Sequence, residues 1–174
     1  MRLTQFTDYG LRVLMYLASR EGEHVTTQEI AALFDVSWDH LLKVVRRLCE
    51  LGYVEAKRGP TGGVRFLPAT REVTVGEIVR RLEPELVLVE CFDERTNTCP
   101  LTPVCGLSPV LRRASAAFLR ELDQVTVRDL MAHTRGLDGA LRTRARSSGA
   151  RARDPRHRVR TRAAAVTRRR SSTS

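Results

Sequence analysis

The spacing of apolar residues changes along the chain and divides it into regions of different predicted structure. Up to about residue 51, apolar residues recur every three or four positions, which is typical of helices with one buried face. Between residues 53 and 67, two short apolar runs flank a turn rich in glycine and proline, which indicates a β-hairpin. Helical spacing returns from residue 74. The sequence therefore predicts a mainly α fold with one small β-hairpin.

Two of the predicted helices lie close together in the first third of the chain. Thr26 begins a capping box for a short helix. Ser37 is a second N-cap, and the helix after it runs to Leu51, where Gly52 suits a left-handed C-terminal cap. Two helices separated by only three or four residues predict a helix-turn-helix.

The predicted hairpin comes directly after the second of these helices and is expected to be the wing of a winged helix. Glycines in its turn let the backbone approach phosphates, and Arg58 at its base is placed to reach into a minor groove. The alternatives are a solvated helix face and a plain hairpin, but the two motifs together favour DNA binding. The candidate DNA-binding residues are Ser37, Trp38, His40, Lys43, Arg46 and Arg47 on the helix and Arg58, Gly59, Thr61, Gly62 and Gly63 in the wing.

Three more helices are predicted in the second half of the chain. Thr74 opens a capping box for a helix through Leu82, and Thr126 begins a last short helix. Between them, Ser108 followed by proline is predicted to cap a longer helix. Its apolar stripe belongs either to the core of the same chain or to the seam of a homodimer, and the separate core of the winged helix favours the dimer. The stripe consists of Leu107, Leu111, Ala114, Phe118 and Leu122.

The formal net charge of +10 is concentrated at the end of the chain. Residues 136–174 contain twelve arginines and two aspartates, whereas residues 1–135 contain eighteen basic and eighteen acidic side chains. Basicity alone therefore does not predict that the folded part binds nucleic acid. The arginine-rich tail is predicted to be disordered, and it either adds sequence-independent attraction to DNA or is a solvated tail without a specific role.

These patterns predict four segments: a winged helix-turn-helix domain (1–71), a connecting helix with a cysteine loop (72–106), a dimerisation helix with a short C-terminal helix (107–135), and the tail (136–174). The first apolar run is about a dozen residues long and is interrupted by Arg12, so neither a signal peptide nor a membrane span is expected. We therefore expect a cytoplasmic protein without a membrane partner. No catalytic constellation with a supporting motif is found, so an enzyme is not expected.

Three of the four cysteines lie within fifteen residues, in the tract CFDERTNTCPLTPVC. Cys91, Cys99 and Cys105 have the spacing C-x7-C-x5-C, and clustered cysteines in a cytosolic protein more often bind metal or do redox chemistry than form disulfides. Zinc usually requires a C-x2-4-C knuckle, which this chain lacks, whereas iron–sulfur clusters tolerate wider spacing. The spacing favours an iron–sulfur cluster and leaves zinc as the alternative. Cys49 is interpreted as a small buried residue.

Three tracts resemble the iron–sulfur winged-helix repressor family that includes IscR and NsrR. They are the opening MRLTQFTDYGLRVLMYLA, the segment DVSWDHLLKVVRRLCELGYVEAKRGPTGGVRF, and CPLTPVC with the leucine after it. The resemblance covers about residues 1–134 and is closest to the nitric-oxide-sensing NsrR branch. It implies a homodimer in which each subunit holds one cluster on a three-cysteine loop beside the dimerisation helix.

The resemblance also implies how the cluster is completed. In IscR-like members a histidine three positions after the last cysteine is a ligand, but Ser108 occupies that position here. In NsrR-like members the cluster is [4Fe-4S] and its fourth ligand is an aspartate from the first helix of the partner subunit, which corresponds to Asp8. Without the resemblance, Asp8 would be interpreted as a helix-start carboxylate. The gap from Cys91 to Cys99 is two residues longer than is common in the family, which leaves [2Fe-2S] as an alternative.

The resulting hypothesis is a homodimeric transcriptional repressor that binds a palindromic operator and senses nitric oxide through a [4Fe-4S] cluster. In this hypothesis, nitrosylation of the cluster releases the operator DNA. One alternative is a regulator of the same fold that senses iron or iron–sulfur supply. Another is a zinc-stabilised DNA-binding module without sensing.

Overall fold

The computed structural model describes residues 3–59, 62–83 and 87–134. The predicted wing residue Thr61 and the whole arginine-rich tail, 136–174, lie outside the described residues. Besides three short 3₁₀ turns, the described residues form six α-helices and one antiparallel hairpin, as the sequence predicts. In order they are α1 (Gln5–Ser19), α2 (Thr27–Phe34), α3 (Trp38–Glu50), β1 (Val54–Lys57), β2 (Gly63–Phe66), α4 (Val75–Leu82), α5 (Leu107–Asp123) and α6 (Val127–His133).

Threonine and serine caps define where most of the helices begin. Thr4, Thr26 and Ser37 each accept a hydrogen bond from a backbone N–H in the first turn of α1, α2 and α3. Asp35, with φ of 55°, ends α2 in the left-handed conformation, and Gly52 lies just after α3 with φ of 73°. The turn between α2 and α3 is therefore short, as a helix-turn-helix requires.

Two of the predicted capping boxes form only half of their hydrogen bonds. Thr26 and Thr74 cap their helices, but the side chain of Glu29 accepts a hydrogen bond from Tyr16 Oη at 2.6 Å, and that of Glu77 accepts one from Tyr53 Oη at 3.4 Å. The reciprocal box is present at Thr126, where it begins α6. Each glutamate side chain contacts a tyrosine of another element, so it contributes to tertiary structure and does not complete the cap.

The hairpin is joined to the helices by an extra bridge. β1 pairs with β2 in the register Val54↔Phe66, and Val25 bridges to Val64 on the other side of β2. A Cβ at Gly63 would lie 2.7 Å from the carbonyl oxygen of Val25, so glycine is required for this close approach. β2 is therefore held against Val25, which lies just before the Thr26 cap of α2.

One core extends beyond the predicted 1–71 unit. Fully buried side chains from α1, α3 and the hairpin pack together with Ile78 and Leu82 of α4 and Val127 of α6. A Cβ at Gly10 of α1 would lie 2.5 Å from Leu82 Cδ1, so α1 and α4 pack closely at this point. The winged helix and the connecting and terminal helices thus share one hydrophobic core.

The long helix α5 does not contribute a buried residue to that core. Its C-terminal end is attached through Asp123, which pairs with Arg80 of α4. The predicted N-cap at Ser108 is wrong, because α5 begins at Leu107 after Gly106, and the Ser108 hydroxyl instead lies 3.9 Å from Cys91 Sγ. No helix within the described ranges is long and apolar enough to cross a membrane.

Candidate nucleic-acid interface and metal centre

The exposed face of α3 carries most of the predicted DNA-binding side chains. Lys43 and Arg46 are exposed, and Trp38 at the first helical position leaves 48% of its surface exposed. Arg47 lies at the edge of this face, where it donates to Glu50 Oε2 at 3.3 Å and to the carbonyl oxygen of Arg81 at 3.2 Å. Cations and an exposed aromatic side chain on one helix face suit phosphate and base contacts.

The two predicted residues nearest the start of α3 have different environments. Ser37 is exposed and its Oγ accepts the backbone N–H of His40 at 3.3 Å, so it caps the helix. The His40 ring instead packs against Tyr9 and Phe6 of α1, and its Nε2 atom is buried. The structure therefore separates His40 from the exposed set in which the sequence placed it.

The wing presents cationic and glycine residues beside α3. Arg58 and Gly59 are exposed, and Gly59 has φ of 111°. A Cβ at Gly62 would collide with the carbonyl oxygen of Lys57, so only glycine fits at this position. Gly63 is held against the backbone of Val25. These glycines therefore shape the wing, and Arg58 supplies its charge.

The cysteine loop is built from short turns rather than regular elements. One 3₁₀ turn spans Glu90–Phe92 and another spans Thr102–Val104. The backbone N–H of Cys99 donates to Asn97 Oδ1 at 3.1 Å, and its carbonyl oxygen accepts from Thr102 Oγ1 at 2.9 Å. These local hydrogen bonds fix the middle of the loop.

The first cysteine is attached to α5. The Arg112 guanidinium donates to the carbonyl oxygen of Cys91 at 3.3 Å and lies 4.4 Å from the centre of the Phe92 ring. Together with the Ser108 hydroxyl, these contacts hold the start of the loop against the first two turns of α5. The loop and the predicted dimerisation helix are thus one structural unit.

The side chains of the cysteine loop are of the type that holds iron–sulfur clusters. Cys91, Cys99 and Cys105 are free, half-buried thiols, and thiolates are the usual ligands of iron–sulfur clusters. Among the described residues, no three His, Cys, Asp or Glu side chains converge closely enough to hold one metal ion. Cys49 packs beside the core on α3, and burial, aided by the charge of Glu50, raises the pKa of its thiol. Three loop thiols are therefore the sulfur donors that the chain offers.

Asp8 lies in the first turn of α1 and remains accessible from outside the chain. Its side chain is 44% exposed, and Arg12 one turn later contacts both carboxylate oxygens, with Nε at 3.0 Å and Nη2 at 2.6 Å. In the single chain the carboxylate therefore has an arginine partner on its own helix. An exposed carboxylate of this kind is available to a second subunit.

A buried carboxylate that the sequence pattern does not reveal anchors the start of α1. Glu83, at the end of α4, is 7% exposed and accepts hydrogen bonds from Thr4 N at 2.5 Å, Thr4 Oγ1 at 2.7 Å and Thr7 Oγ1 at 2.9 Å. The N-terminal turn of α1 also favours a negative charge. Glu83 looks like a helix-end residue in the sequence, and no local pattern marks its partners 76 and 79 residues away.

Comparisons with known proteins agree with this arrangement. The profile of a family described as "Rrf2: Iron-dependent Transcriptional regulator" matches residues 3–133. The HTH-type transcriptional regulator NsrR of Bacillus subtilis is 47% identical over 132 residues, which cover 75% of this chain and 90% of that protein. NsrR of Halalkalibacterium halodurans is 41% identical over 143 residues, covering 82% and 98%.

A solved structure has the same architecture. CymR, the global cysteine regulator of B. subtilis, superposes with a TM-score of 0.60 at 26% identity, covering 77% of this chain and 98% of that chain. The matches thus span 90% to 98% of the length of these three regulators.

Proposed function

The chain belongs to the Rrf2 family of iron-dependent transcriptional regulators, and we propose that it is a homodimeric repressor that senses nitric oxide through a [4Fe-4S] cluster. It is a DNA-binding transcriptional regulator rather than an enzyme. The observation that carries the proposal is the loop of three free, half-buried thiols, which is attached to α5 at Cys91. Two relatives at 41% and 47% identity bear the name NsrR, which supports the nitric-oxide branch.

The DNA-binding step uses the exposed face of α3 and the wing. Lys43, Arg46 and Trp38 on the helix, and Arg58 in the wing, lie on exposed parts of these elements. In a helix-turn-helix dimer each recognition helix enters one major groove, and two half-sites lie about one helical turn apart. We therefore propose a palindromic operator that binds one subunit per half-site, with Ser37 and the wing glycines placing backbone close to phosphates.

The dimer is proposed to form along α5. This helix buries none of its residues in the single chain, and Leu107 and Val110 in its first turn are 61% and 48% exposed. An apolar helix face of this kind must be covered by another element, and among the described residues α4 contacts α5 without burying any α5 side chain. A second copy supplies a matching face through two-fold symmetry.

Cys91, Cys99 and Cys105 would hold the cluster, and Asp8 of the partner subunit would complete it. When bound, the cluster supplies iron sites that react with nitric oxide. An aspartate oxygen is a harder donor than thiolate and is exchanged more readily at iron. Because Asp8 and the cysteines would belong to different subunits, the integrity of the site is coupled to the geometry of the dimer.

The residues around Asp8 indicate how the chain would respond to loss of the bond to iron. Arg12 already contacts both carboxylate oxygens in the single chain, so it would take up the released carboxylate. α1 packs against α3, so a shift of its first turns would reach the recognition helix. Operator affinity would then fall, and genes under the repressor would be expressed.

The test compares Asp8→Ala with wild type, and Glu23→Ala is the matched control. Glu23 is also an exposed carboxylate paired with an arginine, Arg20, at 3.0 Å. We expect Asp8→Ala to change the absorbance and circular dichroism of the loaded protein and to weaken operator binding, whereas Glu23→Ala leaves both unchanged. Identical spectra and operator affinity in Asp8→Ala would refute Asp8 as the fourth ligand.

A second candidate function is a sensor of iron or of iron–sulfur supply, and the description of the family as iron-dependent supports it. The two candidates differ in their response at constant iron content. We expect nitric oxide to release the operator from fully loaded protein without prior iron removal. Release only upon iron depletion would favour the supply sensor.

A further inference from the structure

The His40 ring fills the contact between α1 and α3. It lies edge-on to the Tyr9 ring, with centroids 5.4 Å apart and an interplanar angle of 82°, and 6.4 Å from the Phe6 ring. Its Nε2 atom is buried and has no hydrogen-bond partner among the described residues. This ring nitrogen is therefore not accessible for direct readout of a base edge.

The two rings that touch His40 lie on either side of the proposed cluster ligand. Phe6 and Tyr9 flank Asp8 in the first two turns of α1. The Arg12 guanidinium, which contacts Asp8, also lies 5.7 Å from the centre of the Tyr9 ring. The segment that would respond to the state of the cluster is therefore the one that packs on His40.

We infer that His40 is a positioning residue that couples the cluster site to the recognition helix through Phe6 and Tyr9. The inference rests on the proposed function, since it requires that cluster loss alters the first turns of α1. Interiors are densely packed, so a shift of the Tyr9 ring requires the His40 ring to move or repack. His40 is in the first turn of α3, just after the Ser37 cap, so its movement changes the angle at which α3 is presented to DNA.

His40→Phe and His40→Ala separate coupling from base reading. Phenylalanine keeps a ring against Tyr9 and removes the unpaired nitrogen, so it should preserve the contact without loss of thermal stability. Alanine removes the ring and the contact. The matched control is Phe34→Ala, because Phe34 makes a similar edge-on contact, at 6.2 Å and 84°, with Tyr16 of the same α1 but lies on α2.

The measurement is the ratio of operator affinities between cluster-loaded and cluster-free full-length protein at one salt concentration. The probe is a palindromic duplex selected in vitro by the wild-type protein. Allosteric coupling is commonly about 5- to 150-fold. We expect this ratio to fall toward one in His40→Ala and to stay near the wild-type value in His40→Phe and Phe34→Ala. Iron per chain and the absorbance spectrum should be the same in all four proteins.

Three results would overturn the inference. A wild-type ratio in His40→Ala would show that the ring does not couple the sites. A loss of operator binding in His40→Phe as large as in His40→Ala would show that the ring nitrogen reads DNA. A lowered ratio in Phe34→Ala would assign the effect to general destabilisation. A ratio of one in the wild-type protein itself would instead refute the proposed function, and the inference with it.

Discussion

The winged helix and the cysteine region of this chain differ in how far one chain can complete them. Helices α1 to α4 and the hairpin cover one another's apolar faces, and side chains such as Leu41 and Leu48 are fully buried. The cysteine loop and α5 leave apolar side chains open, with Val104 81% and Leu107 61% exposed. The first region, together with Val127 of α6, thus closes its own core, whereas the second leaves an apolar surface and a set of thiols that we propose a second subunit and a cluster complete.

We therefore expect the stability of the fold and the response to a signal to depend on different sets of residues. Core residues of the first region should determine whether the chain folds, whereas the loop cysteines and the proposed ligand Asp8 should determine what the folded chain responds to. A core substitution that changes the response at full stability, or a ligand substitution that unfolds the cluster-free chain, would break the comparison.

The largest expected effect comes from a cysteine of the loop. Cys99→Ser should abolish cluster iron and the nitric-oxide response, because a serine hydroxyl replaces a thiolate ligand. Cys49→Ser, which alters a half-buried thiol on α3, should keep the full iron content. Iron per chain and absorbance after anaerobic purification measure both. The melting temperature of cluster-free Cys99→Ser should equal that of cluster-free wild type, and a large drop would show that the loop stabilises the fold.

A substitution in the core of the first region should affect folding and leave cluster ligation unchanged. Leu48→Ala removes a fully buried side chain of α3 and should lower the free energy of unfolding by about 2–5 kcal/mol. Leu107→Ala should change that free energy in a monomeric sample by less than about 0.5 kcal/mol, since its side chain is exposed in the single chain. Denaturant unfolding measures these changes in the free energy of unfolding. Sedimentation should show that Leu107→Ala weakens the dimer, and an unchanged dimer would contradict the assignment of α5 as its seam.

Glu83 joins the end of α4 to the start of α1, and its substitution tests the stability of the first region. Glu83→Ala leaves three donors at the start of α1 without their acceptor and should cost about 1–3 kcal/mol of unfolding free energy. Glu83→Gln keeps one acceptor oxygen and should cost less. Glu77→Ala on the same helix is the matched control, because that carboxylate is half-exposed and makes only longer contacts, with Tyr53 Oη at 3.4 Å and Arg81 Nε at 3.3 Å. Equal losses for Glu83→Ala and Glu77→Ala would contradict the anchoring role.

The smallest effect concerns alkaline pH. Burial, together with the hydrogen bond to Glu29, raises the pKa of Tyr16 from 10.0 to about 12. The native state then keeps a proton that the unfolded chain loses between about pH 10 and 12, so stability should fall as pH rises through this window. Tyr16→Phe should reduce the slope of the unfolding free energy against pH, and Tyr53, whose pKa burial also raises to about 12, should supply the remaining slope. An unchanged slope would contradict the shift.

The elements that depend on local sequence signals are predicted well. Caps such as Thr26 and Ser37, the left-handed Gly52 and the periodic apolar positions are local signals, and the structure confirms the helices and hairpin that they predict. The resemblance of three tracts to an iron–sulfur repressor family is confirmed by the family match over residues 3–133.

Errors occur where partners are distant in the chain. The glutamates of two predicted capping boxes bind tyrosines 13 and 24 residues away. The His40 ring packs on α1, and its predicted contact with DNA stays a prediction. Ser108 is predicted to cap α5 because it precedes a proline, but the helix begins earlier and the hydroxyl faces Cys91. Local patterns do not encode which long-range neighbour a side chain meets. The role of Asp8 stays a prediction for the same reason, since its proposed partner lies on another chain.

The most direct measurement of the central claim is a count of iron, sulfide and zinc per chain after anaerobic purification, and then a titration with nitric oxide while operator binding is recorded. We expect brown protein with about four irons and four sulfides per chain, as a [4Fe-4S] cluster requires. Nitric oxide should bleach it and release the operator together. Colourless protein that contains zinc and binds the operator with or without nitric oxide would contradict the claim and leave only the winged helix as a DNA-binding module.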